Sequence, residues 1–495
     1  MNGRKLGARF HLRLFDDSGM SAQQRSNLYW VIWSVTIGML GTIVTTGPVW
    51  SAFQRQVLQA NDFQLGLLAA IPVAASVLQI FMSYIMEKWR NRRFMFLFFG
   101  LVGRSFWILI ALVPYIFPSF SADLRIWLVT VFVVMVFTGN SSVGLGWGSL
   151  MGDIVPIRIR GSYFSVRQMI SLASGVVIGI LVSMMIDRLG MPGYSIALVL
   201  AGITHIADIA CFFFVKWPPM TASVGVKTSL VGMLKEVFTN SRFVKVIVFY
   251  SIWLFSVNIV GPFWNVYMLE DLQMSFMEMS LYTQIVSNVT TVLIISRWGR
   301  LIDRYGNKPV LQMSSLLITL SPLPWFFATP ATTFFILFSN VINGCSWPVS
   351  DVCQQNLYLS HSPQVHRSMY IAVFLACINL FGVALGNATG GWLMQNPLAS
   401  LASHNVVLLG MTMTNTRYLF LLSILLRVIV MLVFLPRITE EGAWTLRDAL
   451  SDMLQRTRSS FINGITQVRI SILRKRARRY EDRERNAEQK HDGEE

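Results

Sequence analysis

The chain has 495 residues, of which 54% are apolar and only 13% are charged. A soluble protein of this length carries about a quarter charged residues, so the composition excludes an ordinary soluble enzyme, a disordered protein and a secreted disulfide scaffold. The 41 basic and 25 acidic residues leave a net charge of +16. This charge does not indicate nucleic acid, because no soluble segment is long enough for such a domain and basic residues collect on the cytoplasmic face of membrane proteins. The four cysteines form no C-x-x-C pair and predict neither a metal site nor a disulfide framework.

Apolar blocks recur along most of the chain, and each approaches the ~20 residues that a helix needs to cross ~30 Å of hydrocarbon. They predict an all-α polytopic membrane protein with about twelve transmembrane helices, which we number as spans 1 to 12. The predicted spans are 28–50, 62–86, 93–115, 124–152, 163–187, 193–216, 243–267, 276–297, 309–328, 331–352, 368–395 and 418–436.

The segments outside the spans differ in composition. Residues 1–27 predict a cytoplasmic amphipathic segment, and residues 217–242 predict a linker between six-helix bundles at 28–216 and 243–436. Residues 437–495 predict a basic tail that is partly helical or disordered. Arginine and lysine flank alternate ends of the spans, which predicts that both termini and the linker are cytoplasmic. The tail carries an apolar stripe beside arginines, so it either lies on an anionic lipid surface or extends as a solvated helix.

The two predicted bundles resemble one another in sequence. Gly47–Trp50 closes span 1 and Gly261–Trp264 closes span 7 with the same Gly-Pro-x-Trp pattern. Residues 87–92 align with residues 303–308, acid for acid and base for base. Because each bundle has an even number of helices, both bundles have the same orientation in the membrane. They therefore form a parallel repeat about an axis along the membrane normal.

The most specific local pattern is Gly299–Lys308, between predicted spans 8 and 9. Gly299 permits a neighbouring helix to approach closely, and Gly306 permits a turn closed to other residues. Asp303 can face the N-terminus of another helix, where an anion is favoured. The pattern resembles the cytoplasmic-loop signature of the major facilitator superfamily, G-x-x-x-D-R-x-G-x-[RK], at each specified position. The run Asp153–Phe164 resembles the D-x-V-P-x-x-x-R-G-x-[YF]-F pattern of many bacterial members of that family.

This resemblance implies two six-helix bundles that move a small solute by alternating access, as a secondary active or facilitative transporter with no enzymatic activity, metal or cofactor. It also implies an integral protein of the bacterial inner (plasma) membrane. We expect a monomer whose partners are the solute and the bilayer, with anionic lipid at the tail. The alternative is a transporter-derived sensor or scaffold that acts through its basic tail. Transport should continue after deletion of residues 440–495 if the two bundles alone move the solute.

The resemblance further implies a cytoplasmic latch between the bundles. Glu87 would face the start of span 11, and Asp303 would face the start of span 5. Asp153 would pair with Arg92 or Lys88. The first-half copy lacks both signature glycines, so we expect a looser latch there. The predicted latch residues are Glu87, Lys88, Arg92, Asp153, Arg160, Gly299, Asp303, Arg304, Gly306, Lys308 and Arg367.

We single out four ionisable side chains as intramembrane, namely Arg104, His205, Asp208 and Arg427. Each is costly in hydrocarbon unless it is paired. At about 1.5 Å per residue, Arg104 and Asp208 lie at similar depths in spans 3 and 6, which predicts an ion pair. We favour a structural pair over a proton site, and His205, one turn from Asp208, is placed to tune its pKa.

In the family architecture, spans 1, 4, 7 and 10 line a central cavity. Amide and indole side chains lie along these spans and on span 8, which favours a neutral or amphipathic solute. Spans 1, 4, 7 and 10 carry no evident central carboxylate, so the sequence predicts neither cation binding nor proton coupling. The predicted cavity residues are Trp33, Asn140, Trp147, Trp253, Asn258, Gln284, Asn343 and Trp347.

Overall fold

The computed structural model describes residues 20–89, 91–156, 159–218, 230–363, 367–440 and 442–456. The predicted amphipathic segment before residue 20, the centre of the linker and the tail beyond residue 456 lie outside these ranges. Four predicted latch residues lie on described helices with side chains outside the description, namely Glu87, Lys88, Arg160 and Arg367.

Six helical spans form the first half of the molecule. Span 1 begins at Ser21, whose hydroxyl accepts the Gln24 N–H and caps the helix. Span 2 contains Pro72, which has no N–H to donate, and is divided by a 3-10 turn at Ala75–Val77. The helices of this half are Ala22–Thr46, Pro48–Ala52, Asp62–Ala74, Leu78–Trp89, Arg92–Ile116, Ala122–Ile154, Arg160–Leu189 and Met191–Cys211, with a π-helical turn at Phe53–Val57.

Six further spans form the second half, and spans 8 and 11 each contain a π-helical segment, a feature often found at functional sites. The π segments are Leu281–Ile285 and Ile378–Ala384. The α-helices are Leu230–Thr239, Ser241–Asn258, Phe263–Glu270, Phe276–Ser280, Val286–Tyr305, Asn307–Leu320, Leu323–Phe327, Phe335–His361, Arg367–Cys377, Leu385–Gln395, Pro397–Ala402 and Asn415–Val433, followed by a 3-10 turn at Leu435–Arg437.

Most of these spans are long and apolar enough to cross a membrane. In the described ranges nine helices meet that test, and span 8, which is bent, makes a tenth. The helices at predicted spans 2 and 10 do not meet it. Span 2 is divided by its 3-10 turn, and span 10 is rich in asparagine and glutamine. The all-α polytopic fold predicted from the sequence is therefore confirmed.

Spans 8 and 10 extend beyond their predicted ends, to Tyr305 and His361. The pattern that begins at Gly299 therefore forms the last turns of a helix, where the sequence predicted a loop. Gly306, at φ +90°, makes the turn, and span 9 begins at the next residue. Hydropathy marks where a chain leaves the hydrocarbon, whereas the helix continues for as long as its backbone hydrogen bonds are not interrupted.

A short β-hairpin precedes span 12 and was not predicted. Val407–Leu408 pairs with Met411–Thr412 in antiparallel register. Leu409 and Gly410 have φ of +52° and +79°, and a two-residue hairpin turn of the primed type needs positive φ at both central positions.

One apolar cluster joins the first half to Val266 and Phe276 of the second half, and a matched tyrosine in each half contacts the backbone of an earlier helix. The Tyr163 hydroxyl, in span 5, donates to the Leu28 carbonyl of span 1 at 3.1 Å. The Tyr370 hydroxyl, in span 11, lies 3.5 Å from the Glu236 carbonyl, just before span 7. Both tyrosine side chains are buried. The repeat seen in the sequence thus has a counterpart in the hydrogen bonding of the two halves.

The chain after span 12 packs against the second half. The Trp444 ring meets the Tyr305 ring edge-on, with centroids 5.4 Å apart, and the Trp444 N–H donates to the Tyr305 carbonyl at 3.0 Å. A helix occupies residues 446–456. The first part of the predicted basic tail is therefore folded onto the end of span 8.

Candidate functional site

The ends of the helices define two sides of the molecule. We call the side where span 1 begins and span 12 ends the terminal side, and the side where span 1 ends at Thr46 the opposite side. Because successive spans alternate in direction, the turn at Gly306 lies on the terminal side.

An ion-pair cluster joins the two halves on the opposite side. Arg55, which follows span 1, donates from Nε to Glu270 Oε1 at 2.7 Å and from Nη2 to Glu270 Oε2 at 3.3 Å. Its Nη1 lies 3.0 Å from Asp62 Oδ1. Two-pronged guanidinium–carboxylate contacts of this kind combine strength with fixed geometry. Burial, helped by the neighbouring Glu270 charge, raises the pKa of Asp271 to about 6, so that carboxyl becomes protonated as the pH falls below this value.

Spans 5 and 8 also meet across the halves on this side. The Asp187 carboxylate accepts the backbone N–H groups of Phe276 and Met277, at 3.2 and 3.4 Å. These are the first N–H groups of span 8, which lack partners inside the helix and favour an anion. Near this cap, the Ser183 and Ser280 hydroxyl oxygens lie 2.9 Å apart in a buried contact.

Spans 2 and 11 cross where both present glycine. A Cβ placed on Gly66 would lie 2.6 Å from the Asn387 carbonyl oxygen, and a Cβ on Gly391 would lie 2.7 Å from the Asp62 carbonyl oxygen. The Asn387 amide donates to the Ala69 carbonyl at 3.0 Å. Together with the ion pairs and the span 8 cap, this backbone contact closes the opposite side.

On the terminal side, Arg92, Arg304 and Lys308 bond within their own halves. In the first half Arg92 is nearly buried, and its Nη1 lies 2.6 Å from Asp153 Oδ2. Its Nη2 donates to the Pro218 carbonyl at 2.7 Å. The pairing of Asp153 with Arg92 that the family resemblance implied is present, and it fastens the end of span 4 to the start of span 3.

In the second half, the chain after span 12 binds the signature. Glu440 accepts the Asn307 N–H at 3.0 Å and the Lys308 N–H at 2.6 Å, through separate carboxylate oxygens. Asp452 Oδ2 lies 3.1 Å from Arg304 Nη2. Asp303 is exposed. Glu440 thus caps the start of span 9, a contact that the sequence analysis did not predict.

Three helical glycines on the terminal side face open space. A Cβ placed on Gly148, Gly152 or Gly299 would meet no described atom within 4 Å. The close helix approach predicted at Gly299 is therefore absent from this conformation, because no described segment of the other half reaches it. Glycine in a helix interior lowers the stability of the helix by about 1 kcal/mol relative to alanine. Helical glycines that no described atom approaches are therefore unusual.

Glu440 changes the result that we expect from deleting the tail. A chain that ends at residue 439 loses Glu440 and Asp452, which uncaps span 9 and frees Arg304. We expect it to melt at a lower temperature than the full-length chain, with about 1 kcal/mol of the loss from the missing cap. A chain that ends at residue 456 keeps both carboxylates and should melt at the same temperature as the full-length protein. Equal melting temperatures for the 439 and 456 chains in detergent would contradict this role.

A cavity of about 370 Å³ lies inside the first half. Its volume falls within the ≈ 300–1,000 Å³ that small-molecule sites occupy. Spans 1, 3, 4, 5 and 6 supply its wall, with polar groups from Ser34 and Thr42 and aromatic groups from Phe96, Trp147 and Phe212. Four ionisable side chains complete it, namely Arg104, Arg167, His205 and Asp208.

Arg104 and Asp208 face each other on this wall. Arg104 Nη1 contacts Asp208 Oδ2 and also donates to the His205 carbonyl at 2.9 Å. Span 1 makes room for both acid and imidazole with glycines. A Cβ on Gly38 would lie 3.0 Å from Asp208 Oδ2, and a Cβ on Gly41 would lie 2.6 Å from His205 Nε2. The predicted ion pair is present, and the structure adds that it borders a cavity.

Arg167 is the charged wall residue that the sequence analysis missed. Its guanidinium carbon lies 4.9 Å from the centroid of the Trp147 ring, a cation–π distance. It lies on the second turn of span 5, close enough to the terminal end to pass for a membrane-edge arginine. The available signal was its position four residues after the buried Tyr163, which puts both on one helix face.

The structure separates the predicted cavity residues. Trp147 lines the first-half cavity, and Trp33 is 57% exposed. Trp253 is 1% exposed and stacks on Phe249 in the second-half core, so it does not line a solute path in this conformation. The other predicted residues are part-buried and lie outside the wall of the first-half cavity, namely Asn140, Asn258, Gln284, Asn343 and Trp347.

Arg427 lies far from this cavity, in span 12. It is 2% exposed, and its Nη1 donates to the Ile318 carbonyl of span 9 at 2.7 Å. Within the described ranges no carboxylate lies at ion-pair distance from it. A backbone carbonyl therefore provides the hydrogen bond of this buried cation.

The chain matches the family model described as Major Facilitator Superfamily over residues 31–386 and 247–477. No curated protein matches the sequence significantly. Solved structures with the same fold include a point mutant of the nucleoside transporter NupG (14% identity, 83% of this chain and 100% of that chain covered, TM-score 0.66). A bacterial homologue of the human lysosomal transporter Spinster, inward-facing and occupied, gives 14% identity, coverage of 86% and 100%, and a TM-score of 0.64. The xylose transporter XylE from E. coli, inward open, gives 18% identity, coverage of 86% and 99%, and a TM-score of 0.57.

At these identities the solved structures show the fold, whereas the family model spans well over half of the chain. The family match, the paired halves and the solute-sized cavity together identify the family of the protein. The chain belongs to the Major Facilitator Superfamily and is an integral membrane protein that transports a small solute by alternating access.

Proposed function

We propose that the solute binds in the first-half cavity. In this conformation the solute enters and leaves the cavity from the terminal side. One observation carries the proposal. The described polar bridges between the halves lie on the opposite side, as in Arg55–Glu270 and Ser183–Ser280, or near the middle of the spans, as in Asn379–Ser76. On the terminal side Arg92, Arg304 and Lys308 bond within their own halves, as in Arg92–Asp153.

The depth of the cavity supports exchange with that side. Phe96 lies about 6 Å from the terminal end of span 3 at 1.5 Å per residue, and Phe212 directly follows span 6. Both contribute to the wall. A solute entering from the terminal side therefore meets the cavity within the first turns of these spans.

We further propose that the terminal side is cytoplasmic, so that this conformation is inward-facing. The basic residues near the ends of spans 2, 8 and 12 support that orientation. The protein then acts as a monomer in the inner (plasma) membrane of a bacterium, with its arginine-rich tail beside anionic lipid.

Closure of the terminal side would give the predicted latch its partners. The open glycines Gly148, Gly152 and Gly299 leave room for helices of the two halves to approach. In that closed state Asp303 would face the start of span 5 and Glu87 the start of span 11. A sensor or scaffold acting through the tail is not favoured, because the described part of the tail packs on the transporter body and the body holds a solute-sized cavity.

Spin labels on both sides of the molecule test this function. Gln59 and Gln273 are exposed on the opposite side, one in each half, and Trp89 and Arg297 are exposed on the terminal side. Cysteines at each pair carry the labels in lipid nanodiscs, and double electron–electron resonance gives the distances. We expect conditions that lengthen the Gln59–Gln273 distance to shorten the Trp89–Arg297 distance. Distances that lengthen together, or that never change, would argue against the proposal.

A further inference from the structure

We propose that the first-half cavity takes a small organic anion, whose carboxylate or sulfonate pairs with the Arg167 guanidinium. This inference rests on the proposed function, because it names the class of solute for the same cavity. It replaces the neutral or amphipathic solute that the amide and indole side chains suggested.

The first argument is the charge of the wall. Two guanidinium groups, Arg104 and Arg167, line the cavity with one carboxylate, Asp208. Asp208 is already in contact with Arg104. His205 adds an imidazole to the wall, which supplies no negative charge. The wall therefore carries one net positive charge, and Asp208, which is in contact with Arg104, acts on Arg167 only at longer range.

The second argument is the surroundings of Arg167. Within the described part of the chain, its guanidinium has no carboxylate at ion-pair distance, and its buried Nε has no hydrogen-bond partner. An arginine at membrane depth is costly unless it pairs or faces a water-filled space. The guanidinium presents a rigid fork of donors that matches a carboxylate. The Trp147 ring, 4.9 Å from the guanidinium carbon, holds that fork at the wall.

The third argument is the remainder of the wall. Phe96, Val143, Ile209 and Phe212 supply apolar surface to the same cavity. Such a surface can be covered by the carbon skeleton of an organic anion. An inorganic ion would leave the same apolar surface in contact with water. At about 30 Å³ per water-sized group, the cavity holds roughly a dozen such groups. A monoanion with an apolar or aromatic body of about that size fits these limits.

The charge of the cavity can be tested without knowing the natural solute. A single cysteine at Val35, on the cavity wall, is introduced after the four native cysteines have been replaced. Its rate of modification by an anionic methanethiosulfonate (ethylsulfonate) is compared with that of a cationic one (ethyltrimethylammonium). The same two rates at Ser403→Cys, exposed on the opposite side, give the intrinsic ratio of the reagents.

We expect the anionic reagent to be favoured at Val35→Cys by several-fold over the intrinsic ratio. Arg167→Gln should remove that preference, whereas Arg167→Lys, which keeps the charge, should retain it. Arg297→Gln, which removes an exposed arginine outside the cavity, should leave it unchanged. An equal ratio at Val35 and Ser403, or a preference that survives Arg167→Gln, would overturn the anion assignment.

Benzoate and benzamide then test binding, because a ligand that binds the folded state raises its melting temperature. Benzoate should stabilise the parent protein and the Arg297→Gln variant more than benzamide does, and Arg167→Gln should abolish the difference. Equal stabilisation by the two compounds, or none by either, would count against an organic-anion site. Reciprocal spin-label distances without anion selectivity would leave alternating access standing and refute the solute class alone.

Discussion

Oxidation of a Ser183→Cys/Ser280→Cys variant should stop nearly all transport, and reduction should restore it. The two hydroxyl oxygens lie 2.9 Å apart in a buried contact between span 5 and span 8. Cysteines at these positions can therefore reach the Cβ separation of about 3.8 Å that a disulfide requires. The bond would tie the halves together on the opposite side, so that side could not open. The measurement is solute flux into proteoliposomes with and without reductant.

Thr329 and Thr332 provide a matched control for this cross-link. Their hydroxyl oxygens lie 2.7 Å apart, on the opposite side but within the second half. Cysteines there should form a disulfide that leaves flux unchanged, because no motion between halves strains it. The single Ser183→Cys and Ser280→Cys variants should respond to neither oxidant nor reductant. Full flux through a completely cross-linked 183–280 protein would refute closure at this contact.

Asp208→Ala should strongly destabilise the protein, whereas the double variant Arg104→Met/Asp208→Leu should recover most of the loss. Removing Asp208 leaves the part-buried Arg104 charge without its partner, and the cost of about 3–5 kcal/mol for breaking a fully buried ion pair is the upper limit of the loss. Replacing both groups by apolar side chains removes that penalty. Thermal unfolding in detergent and the amount of protein in the membrane measure the effect. Arg188→Met, which removes an exposed arginine, should change neither.

Transport by the same variants separates the structural pair from a proton site. A structural pair predicts that the double variant still transports. A proton site predicts that Asp208→Asn folds normally and loses only the uptake that a proton gradient drives. Since the pair borders the cavity, we expect the double variant to show altered solute affinity. A well-folded double variant without any transport would contradict the structural role.

The sequence determined the membrane class, most of the spans, the family and several local features of this protein. Apolar blocks of membrane-spanning length and the duplicated motifs depend only on neighbouring residues, so they can be recognised without a structure. The same holds for the turn at Gly306, where a positive φ requires glycine. The Arg104–Asp208 pair was predictable because depth along a helix follows from residue count. Opposite charges at equal depth in the membrane attract one another, and the structure contains this pair.

Only the tertiary structure decided which side is closed, where the cavity lies and what fastens the signature. Arg167 points at Trp147, and Glu440 caps a helix that begins 133 residues earlier in the chain. Contacts of this kind depend on how distant helices are rotated and stacked, and no local pattern encodes that rotation. The sequence distinguishes the two sides by their charge but does not show which of them is closed, whereas the packing of spans 5 with 8 and 2 with 11 does.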